Sequence, residues 1–212
     1  MNRRLRTPER VEFSIDRRVR RANIQEQNLL FPTCTPMATS EIKPLASSTF
    51  DQEQMISLIR FTERTMATDR PVPFGAMVVN TQSRQMLVRT VNQASQKNDP
   101  TCHAEVNAIR LACRRIKNHL LRGYTLYTTC EPCPMCMGAI LWAGLDRVVY
   151  GATIEHAARH CNQIYISASE FVAKSDMHCE VVGPIEAELC YSSLFSHPNM
   201  IKRFEIWRSN NR

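Results

Sequence analysis

Two short motifs constrain this chain more than any other part of its sequence. The first is His103-Ala-Glu105, and the second, further along the chain, is Cys133-Pro-Met-Cys136. Zinc prefers nitrogen and sulfur ligands in a tetrahedron, and a catalytic zinc site has three protein ligands and leaves its fourth position to water. We therefore predict that His103, Cys133 and Cys136 bind one zinc ion per chain.

Glu105 adds a carboxylate beside the predicted metal. A zinc ion lowers the pKa of its bound water, so that hydroxide forms near neutral pH and can attack a ring carbon that bears an amino group. Such a reaction also needs one proton for a ring nitrogen and another for the departing ammonia. A single carboxylate two residues from a ligand can move both, so we predict that Glu105 is the general acid and base.

The residues around both motifs are typical of helix starts. Cys133 and Cys136 share one face of a helix, and Pro132 and Pro134 cost little where a helix begins. The partial positive charge of a helix N-terminus also favours thiolate over thiol.

The histidine motif is followed by apolar residues at helical spacing, which predicts a helix with His103 and Glu105 in its first turn. These apolar residues are Val106, Ile109, Ala112, Cys113 and Ile116. Two helix starts would then face one metal.

The ligand pattern alone leaves other interpretations open. Cys130 could serve as a fourth ligand and make the zinc site structural, and Cys102 lies next to His103. The Cys-x-x-Cys pair could also be a redox dithiol. A zinc-stabilised nucleic-acid-binding module without catalysis is a further alternative, but such a module has no need of Glu105.

Several motifs beyond the ligands decide between these interpretations. They are Pro73-Phe-Gly-Ala76, Asn92, Asn98-Asp-Pro-Thr101, Cys130-Glu-Pro-Cys133-Pro-Met-Cys136, Gly138-Ala139 and Val149-Tyr150. On these residues and on His103-Ala-Glu105 the chain resembles the cytidine/deoxycytidylate deaminase superfamily, and within it the guanine deaminase and nucleoside deaminase branch. The resemblance implies zinc-dependent hydrolytic deamination of a free nucleobase or nucleoside, with a guanine- or guanosine-like purine favoured.

The tRNA adenosine deaminases, which are similar to this chain, provide the alternative. They typically read Pro-Val-Gly-Ala where this chain has Phe74, and Leu-Glu-Pro-Cys-Val-Met-Cys where it has Cys130 and Pro134. Both differences favour the guanine or nucleoside side. The resemblance also implies a homodimer.

The predicted substrate-binding residues are Phe74, Asn92, Ala104 and His156. Asn92 matches a family amide that holds the base or ribose, and Phe74 is either a core residue or a wall of the base pocket. By ungapped alignment, His156 occupies the position at which similar guanine deaminases carry an acidic residue that contacts guanine. This substitution leaves the identity of the base open.

The order of apolar segments predicts the fold. Residues 50–66 have helical periodicity, and residues 74–80 and 85–91 read as a strand hairpin. Alternating helices and strands follow, which implies parallel strands joined by right-handed crossovers. We therefore expect a three-layer α/β/α sandwich of the cytidine deaminase type with a mixed five-stranded sheet.

Less regular segments complete the expected fold. We expect a short strand at residues 164–167, a helix at 185–195 and a C-terminal segment with apolar alternation at Phe204 and Ile206. That segment either packs on the domain or reaches a second subunit.

Composition bounds the remaining possibilities. The chain has 212 residues with 43% hydrophobic content, which suits one domain with appendages. It has no run of about eighteen apolar residues and no secretory leader, so we expect no membrane partner. Its nine cysteines, without a leader, predict reduced thiols and a cytoplasmic location.

Residues 1–45 differ from the rest, and we expect residues 46–212 to form the deaminase domain. Eight arginines lie between Arg3 and Arg21, against four acidic residues by Glu26, so this arm holds about half of the formal charge of +7. Such an arm could bind nucleic acid or acidic lipid. A transit peptide is opposed by Glu9, Glu12 and Asp16. We expect a disordered extension, or a chain whose true start is Met37.

Overall fold

The computed structural model describes residues 49–210, which lie within one compact unit, Lys43–Arg212. The predicted N-terminal extension lies outside the described residues, so its disorder and its nucleic-acid binding stay predictions.

Five strands form one mixed sheet in the order β2-β1-β3-β4-β5. They are β1 (Gly75–Asn80), β2 (Met86–Val91), β3 (Tyr124–Cys130), β4 (Arg147–Ala152) and β5 (Glu180–Val182). β1 pairs antiparallel with both β2 and β3, whereas β3, β4 and β5 run parallel. This confirms the expected mixed sheet with an initial hairpin.

Helices cover both faces of the sheet. They are α1 (Thr49–Glu63), α2 (Ala94–Lys97), α3 (Ala104–Ile116), α4 (Pro134–Trp142), α5 (Ile154–Ala158), α6 (Ala168–Ala173), α7 (Ala187–Cys190) and α8 (Pro198–Asn210). A 3-10 turn (Arg64–Ala67) follows α1, and a π-helical turn (Tyr191–Phe195) continues α7.

The alternation along β1 divides the core into two halves. Met77 and Val79 pack with Met55 of α1 on one face, and Ala76 and Val78 pack with α3 and α4 on the other. Successive side chains of a strand point to opposite faces, so the unbroken apolar run from Ala76 to Val79 in β1 requires helices on both sides. The result is the expected three-layer α/β/α sandwich.

A buried ion pair connects α1 to the centre of the sheet. The guanidinium of Arg147 donates to both carboxylate oxygens of Asp51 at 2.7 and 2.9 Å, and its Nε donates to Glu180 at 2.9 Å. The hydroxyl of Tyr127 also donates to Asp51 at 2.7 Å. Asp51 is 1% exposed, so this bidentate pairing compensates for the removal of its charge from water.

Two of the less regular segments differ from expectation. Residues 164–167 form no strand, because Ile164 and Tyr165 are exposed and the edge of β4 is already paired with β5. The C-terminal segment is helical: the buried residues are Met200 and Phe204, which are four apart and share one helical face, whereas Ile206 is exposed.

The predicted helix at 185–195 is present only from residue 187, as α7 and the π-helical turn. In the part of the chain that is described, none of the helices has the length and apolar character needed to cross a bilayer.

Candidate active site

Two ligands of the predicted metal stand at the positions that precede helices. His103 is the N-cap of α3 and Cys133 is the N-cap of α4, both with extended backbone conformations. The expectation that His103 lies in the first turn is therefore wrong by one residue. Glu105 is in the first turn of α3, and Cys136 is in the first turn of α4. Strand β3 leads directly to the α4 motif, so the sheet positions the cysteines.

The three donor atoms converge on one point. Nδ1 of His103 lies 3.8 Å from Sγ of Cys133 and 3.6 Å from Sγ of Cys136. Zinc with sulfur at ~2.3 Å and nitrogen at ~2.0 Å would place a tetrahedral nitrogen and sulfur ~3.5 Å apart. The donor set therefore fits zinc. Among residues 49–210 it is the group of at least three His, Cys, Asp or Glu side chains whose donor atoms lie within 4.8 Å of one another.

The candidate fourth ligands lie elsewhere. Sγ of Cys130 donates to the carbonyl of Thr153 at 3.8 Å, and Sγ of Cys102 donates to Asp99 at 3.2 Å. Neither belongs to the convergent group. Three protein ligands are the number typical of a catalytic zinc, which leaves one position for water.

The thiols are arranged so that one is readily ionised. The hydrogen bond with Cys136 lowers the pKa of the Cys133 thiol to about 4, and the contact with His103 acts in the same direction. The same bond and burial raise the pKa of Cys136 above its usual range. Binding of a metal to both sulfurs must therefore displace a proton from Cys136.

Glu105 is a buried carboxylate beside these donors. It is 6% exposed, and the hydroxyl of Thr128 donates to its Oε1 at 3.3 Å. Burial raises the pKa of Glu105 above its usual range. A raised pKa means that the carboxyl group takes up a proton more readily than a free one, as the base of a proton shuttle requires.

A cavity of about 290 Å³ opens onto the donor set. His103, Cys133 and Glu105 line it, together with Phe74 and Asn92. The N–H of Asn92 donates to the carbonyl of Phe74 at 3.0 Å, which joins the two residues at the open end of the β1–β2 hairpin. The ring of Phe74 also meets Phe195 edge-on at 5.4 Å, so Phe74 is both a core residue and a cavity wall.

Ala104 and His156 are not brought to the cavity. Ala104 is fully buried, and its carbonyl accepts from the hydroxyl of Thr90 at 2.8 Å. His156 closes a capping box with Thr153 at the start of α5, and its ring packs at 5.2 Å from Tyr191. His156 is therefore a helix-capping residue and does not line the cavity. The ungapped alignment could not show this, because it ignores the local geometry of α5.

Residues between α5 and α6 line the cavity, where His156 does not. They are Cys161, Asn162, Gln163 and Ile164. Sequence reasoning missed them because this segment has no apolar period. The only local signal is a pair of amide side chains between two apolar residues.

Glu131 also lines the cavity, and it holds that wall in place. It is 9% exposed, its Oε1 accepts the N–H of Ala168 at 2.9 Å, and its Oε2 accepts the N–H of Ile154 at 3.4 Å. One carboxylate thus caps the N-termini of both α5 and α6, where helices carry partial positive charge. The segment between those two helices is fixed at both ends.

Residues 48–152 match the family model of the cytidine and deoxycytidylate deaminase zinc-binding region. The chain is 38% identical over 119 residues to a tRNA-specific adenosine deaminase of Rickettsia bellii, which covers 56% of this chain and 82% of that protein. These matches show that the chain belongs to the cytidine and deoxycytidylate deaminase family, whose zinc-binding region includes the donor set.

Other relatives differ in substrate. The chain is 46% identical over 86 residues to the guanine deaminase of Bacillus subtilis, which covers 41% of this chain and only 54% of that protein. A solved tRNA:A34 deaminase, which performs A-to-I editing at the wobble position of transfer RNA, superposes with a TM-score of 0.57 and 28% identity, over 67% of this chain and 99% of that chain. These similarities establish the family of this chain. They do not decide its substrate, because the relatives differ in the substrate that they are named for.

Proposed function

We propose that this chain catalyses hydrolytic deamination of a nucleobase, free or within a nucleoside, with a guanine- or guanosine-like purine favoured. The observation that carries the proposal is the buried carboxylate of Glu105 next to a three-ligand donor set, at the floor of a cavity. His103, Cys133 and Cys136 would hold the zinc. When bound, zinc supplies a Lewis acid that lowers the pKa of water.

In this proposal Glu105 moves every proton. It accepts one from the attacking water and delivers it to a ring nitrogen, and it then assists the protonation of the amino group that leaves as ammonia. The hydroxyl of Thr128 donates to Oε1 of Glu105 at 3.3 Å, which helps to hold the carboxylate in place. The net reaction replaces the ring amino group by a carbonyl oxygen from water.

The neutral polar groups that line the cavity would recognise the base through hydrogen bonds. Both oxygens of Glu131 accept backbone N–H groups, so this acid holds the wall. The amides of Asn92, Asn162 and Gln163 also line the cavity, and each offers a donor and an acceptor. Phe74 and Ile164 offer apolar surface for a flat ring.

Deamination of adenosine in tRNA is the second candidate. The R. bellii relative is a tRNA-specific adenosine deaminase, and its match extends over 82% of its length. The formal charge of +7 also suits an RNA partner. The predicted nucleic-acid contact through residues 1–45 lies outside the described residues and stays a prediction.

The homodimer is also a proposal. Trp142 and Met135 are 76% and 37% exposed on one side of α4, which is an apolar surface suited to a second copy. Light scattering of the wild-type chain and of Trp142→Glu tests this, and an unchanged mass would remove this face as the interface. The cytoplasmic location stays a prediction.

The decisive experiment is ammonia release by the zinc-loaded protein from a panel of bases, nucleosides, nucleotides and tRNA. Glu105→Gln is the control: it should keep zinc at the wild-type stoichiometry and lower kcat by roughly 10²–10⁴-fold, because it cannot transfer the protons. Wild-type activity in this variant would refute the role of Glu105. Zinc binding without ammonia from any substrate would instead support a non-catalytic zinc module.

A further inference from the structure

A second cavity of about 310 Å³ adjoins the candidate active site. The two cavities share Phe74, Asn92, His103 and Cys161, so they adjoin each other beside the metal ligand His103. We call the second cavity the outer chamber. Its far wall is one face of α8, which contributes Arg203 and its neighbours on that face.

The α8 wall is fixed to the domain. Met200 and Phe204 are buried, and the ring of Phe204 stacks on His160 at 5.0 Å and 14°. The amide of Asn199 donates to the carbonyl of Met66 at 2.9 Å. Arg208 donates to the carbonyl of His160 at 3.0 Å. The outer chamber is therefore a preformed surface and not a gap beneath a loose tail.

The chemistry of the outer chamber differs from that of the first cavity. Its walls are largely apolar, with the indole of Trp207 at 41% exposure and the proline-rich loop 71–73 opposite. Arg203 is its one lysine or arginine among the described residues, and no described acidic residue lines it. Within residues 49–210, Arg203 makes no salt bridge. A guanidinium in a largely apolar chamber, with no acid among the described lining residues, favours an anion. Its fork of donors fits carboxylate or phosphate, and phosphate is the one that a nucleoside substrate can carry.

We propose that the outer chamber binds the phosphate-bearing ribose of the substrate, so that the base to be deaminated belongs to a nucleotide. This inference rests on the proposed deamination and narrows its substrate from a free base or nucleoside to a nucleoside that carries phosphate. The base would occupy the first cavity, the sugar would pass Phe74 and Asn92 at the junction, and the phosphate would meet Arg203. The first cavity, about 290 Å³, lies at the lower end of ligand-site volumes, ~300–1,000 Å³, and suits a base without its sugar phosphate.

Tryptophan fluorescence offers a direct test of binding. The chain has two tryptophans, and Trp142 lies on α4 outside the outer chamber. Trp142→Phe therefore leaves Trp207 as the only tryptophan reporter, and adding Glu105→Gln prevents turnover. This zinc-loaded protein would be titrated with guanosine, adenosine, their 5′-monophosphates, inorganic phosphate and a short RNA.

Phosphorylated ligands should quench Trp207 at concentrations about tenfold or more below those of the nucleosides, since a charge-assisted contact is lost without phosphate. Arg203→Gln should abolish this preference. Lys202→Gln is the matched control, because Lys202 is an exposed cation of α8 that does not line the chamber. A mononucleotide preference identifies free nucleotides as the source, and a preference for the RNA alone identifies a polynucleotide.

Equal binding of nucleosides and their monophosphates, or an unchanged preference in Arg203→Gln, would overturn the inference. In the active chain, Arg203→Gln should raise the KM of the phosphorylated substrate about tenfold and leave kcat unchanged. Ammonia release without any phosphate preference would overturn the outer-chamber role and leave the proposed function standing. A phosphate preference in binding without ammonia release from any substrate would overturn the proposed function alone.

Discussion

Replacing Glu131 by glutamine should loosen the wall of the candidate active site without touching the metal donors. The two side chains have nearly the same shape, so the change creates no cavity. The carboxylate accepts the N–H groups of both Ala168 and Ile154, whereas an amide has one oxygen. Its NH₂ group would face one of the two backbone N–H groups, and two donors cannot pair.

The structure indicates which contact would be lost. The bond to Ala168 is 2.9 Å and the bond to Ile154 is 3.4 Å, so the amide oxygen should keep the shorter one. A hydrogen bond to a charged group contributes about 1.5–3 kcal/mol, and a buried donor left unpaired costs about 1–3 kcal/mol. We therefore expect Glu131→Gln to lower the free energy of unfolding by about 2–3 kcal/mol.

Urea unfolding and steady-state kinetics would measure both consequences. The wall residues 161–164 lie between the two capped helices, so KM should rise more than kcat falls. Glu170→Gln is the matched control, because Glu170 is an exposed acid paired with Lys174, and its loss should cost only about 0.3–0.5 kcal/mol. Zinc stoichiometry should be unchanged in both variants. A Glu131→Gln chain as stable as the control, with an unaltered KM, would refute the bridging role.

Asp51→Ala should lower the free energy of unfolding in urea by about 3–5 kcal/mol, since it leaves the partly buried Arg147 without its bidentate partner. Tyr127→Phe removes one hydrogen bond to the same carboxylate and should lower it by only about 1 kcal/mol. Removing zinc with a chelator should lower the Tm by about 5–10 °C if zinc is present at a hundredfold excess over its Kd, and readdition should restore it, as scanning calorimetry would record. Burial, with Arg208 and Arg159 nearby, lowers the pKa of His160 below its usual range. Folding therefore favours neutral His160, and the stability that His160 gives to α8 should be lost as pH falls through this lowered pKa. Amide hydrogen exchange of α8 should become faster at that pH. His160→Gln should remove this pH dependence of exchange.

The metal site could be predicted because its information is local. His103 and Cys133 each precede a helix, and Glu105 and Cys136 follow within one turn, so short spacing places all four side chains. The sheet was predictable for a similar reason, since apolar runs of strand length alternate with helical periods. Local spacing does not determine that the two motifs meet at one point, because the sheet brings them together.

The cavity wall could not be predicted, because its residues are placed by contacts distant in sequence. Residues 161–164 take their position from Glu131, which lies in another motif and acts through backbone N–H groups that carry no sequence signal. His156 was misplaced for the opposite reason: a local cap with Thr153 determines its orientation. In α8 the apparent alternation concealed the pair Met200 and Phe204, whose spacing of four is helical.

We expect substrate choice in this chain to depend on elements other than those that carry the metal donors. The residues proposed to perform the chemistry lie on two helix starts tied to the central strand β3, which is buried along almost its whole length. The residues proposed to contact the rest of a substrate lie at the hairpin end, on the 161–164 segment and on α8. Changes in those three elements can alter the ligand without disturbing the donor set. The relatives of this chain include a guanine deaminase and a tRNA-specific adenosine deaminase. We expect Arg203 on α8 to be where this chain differs from a deaminase of free bases.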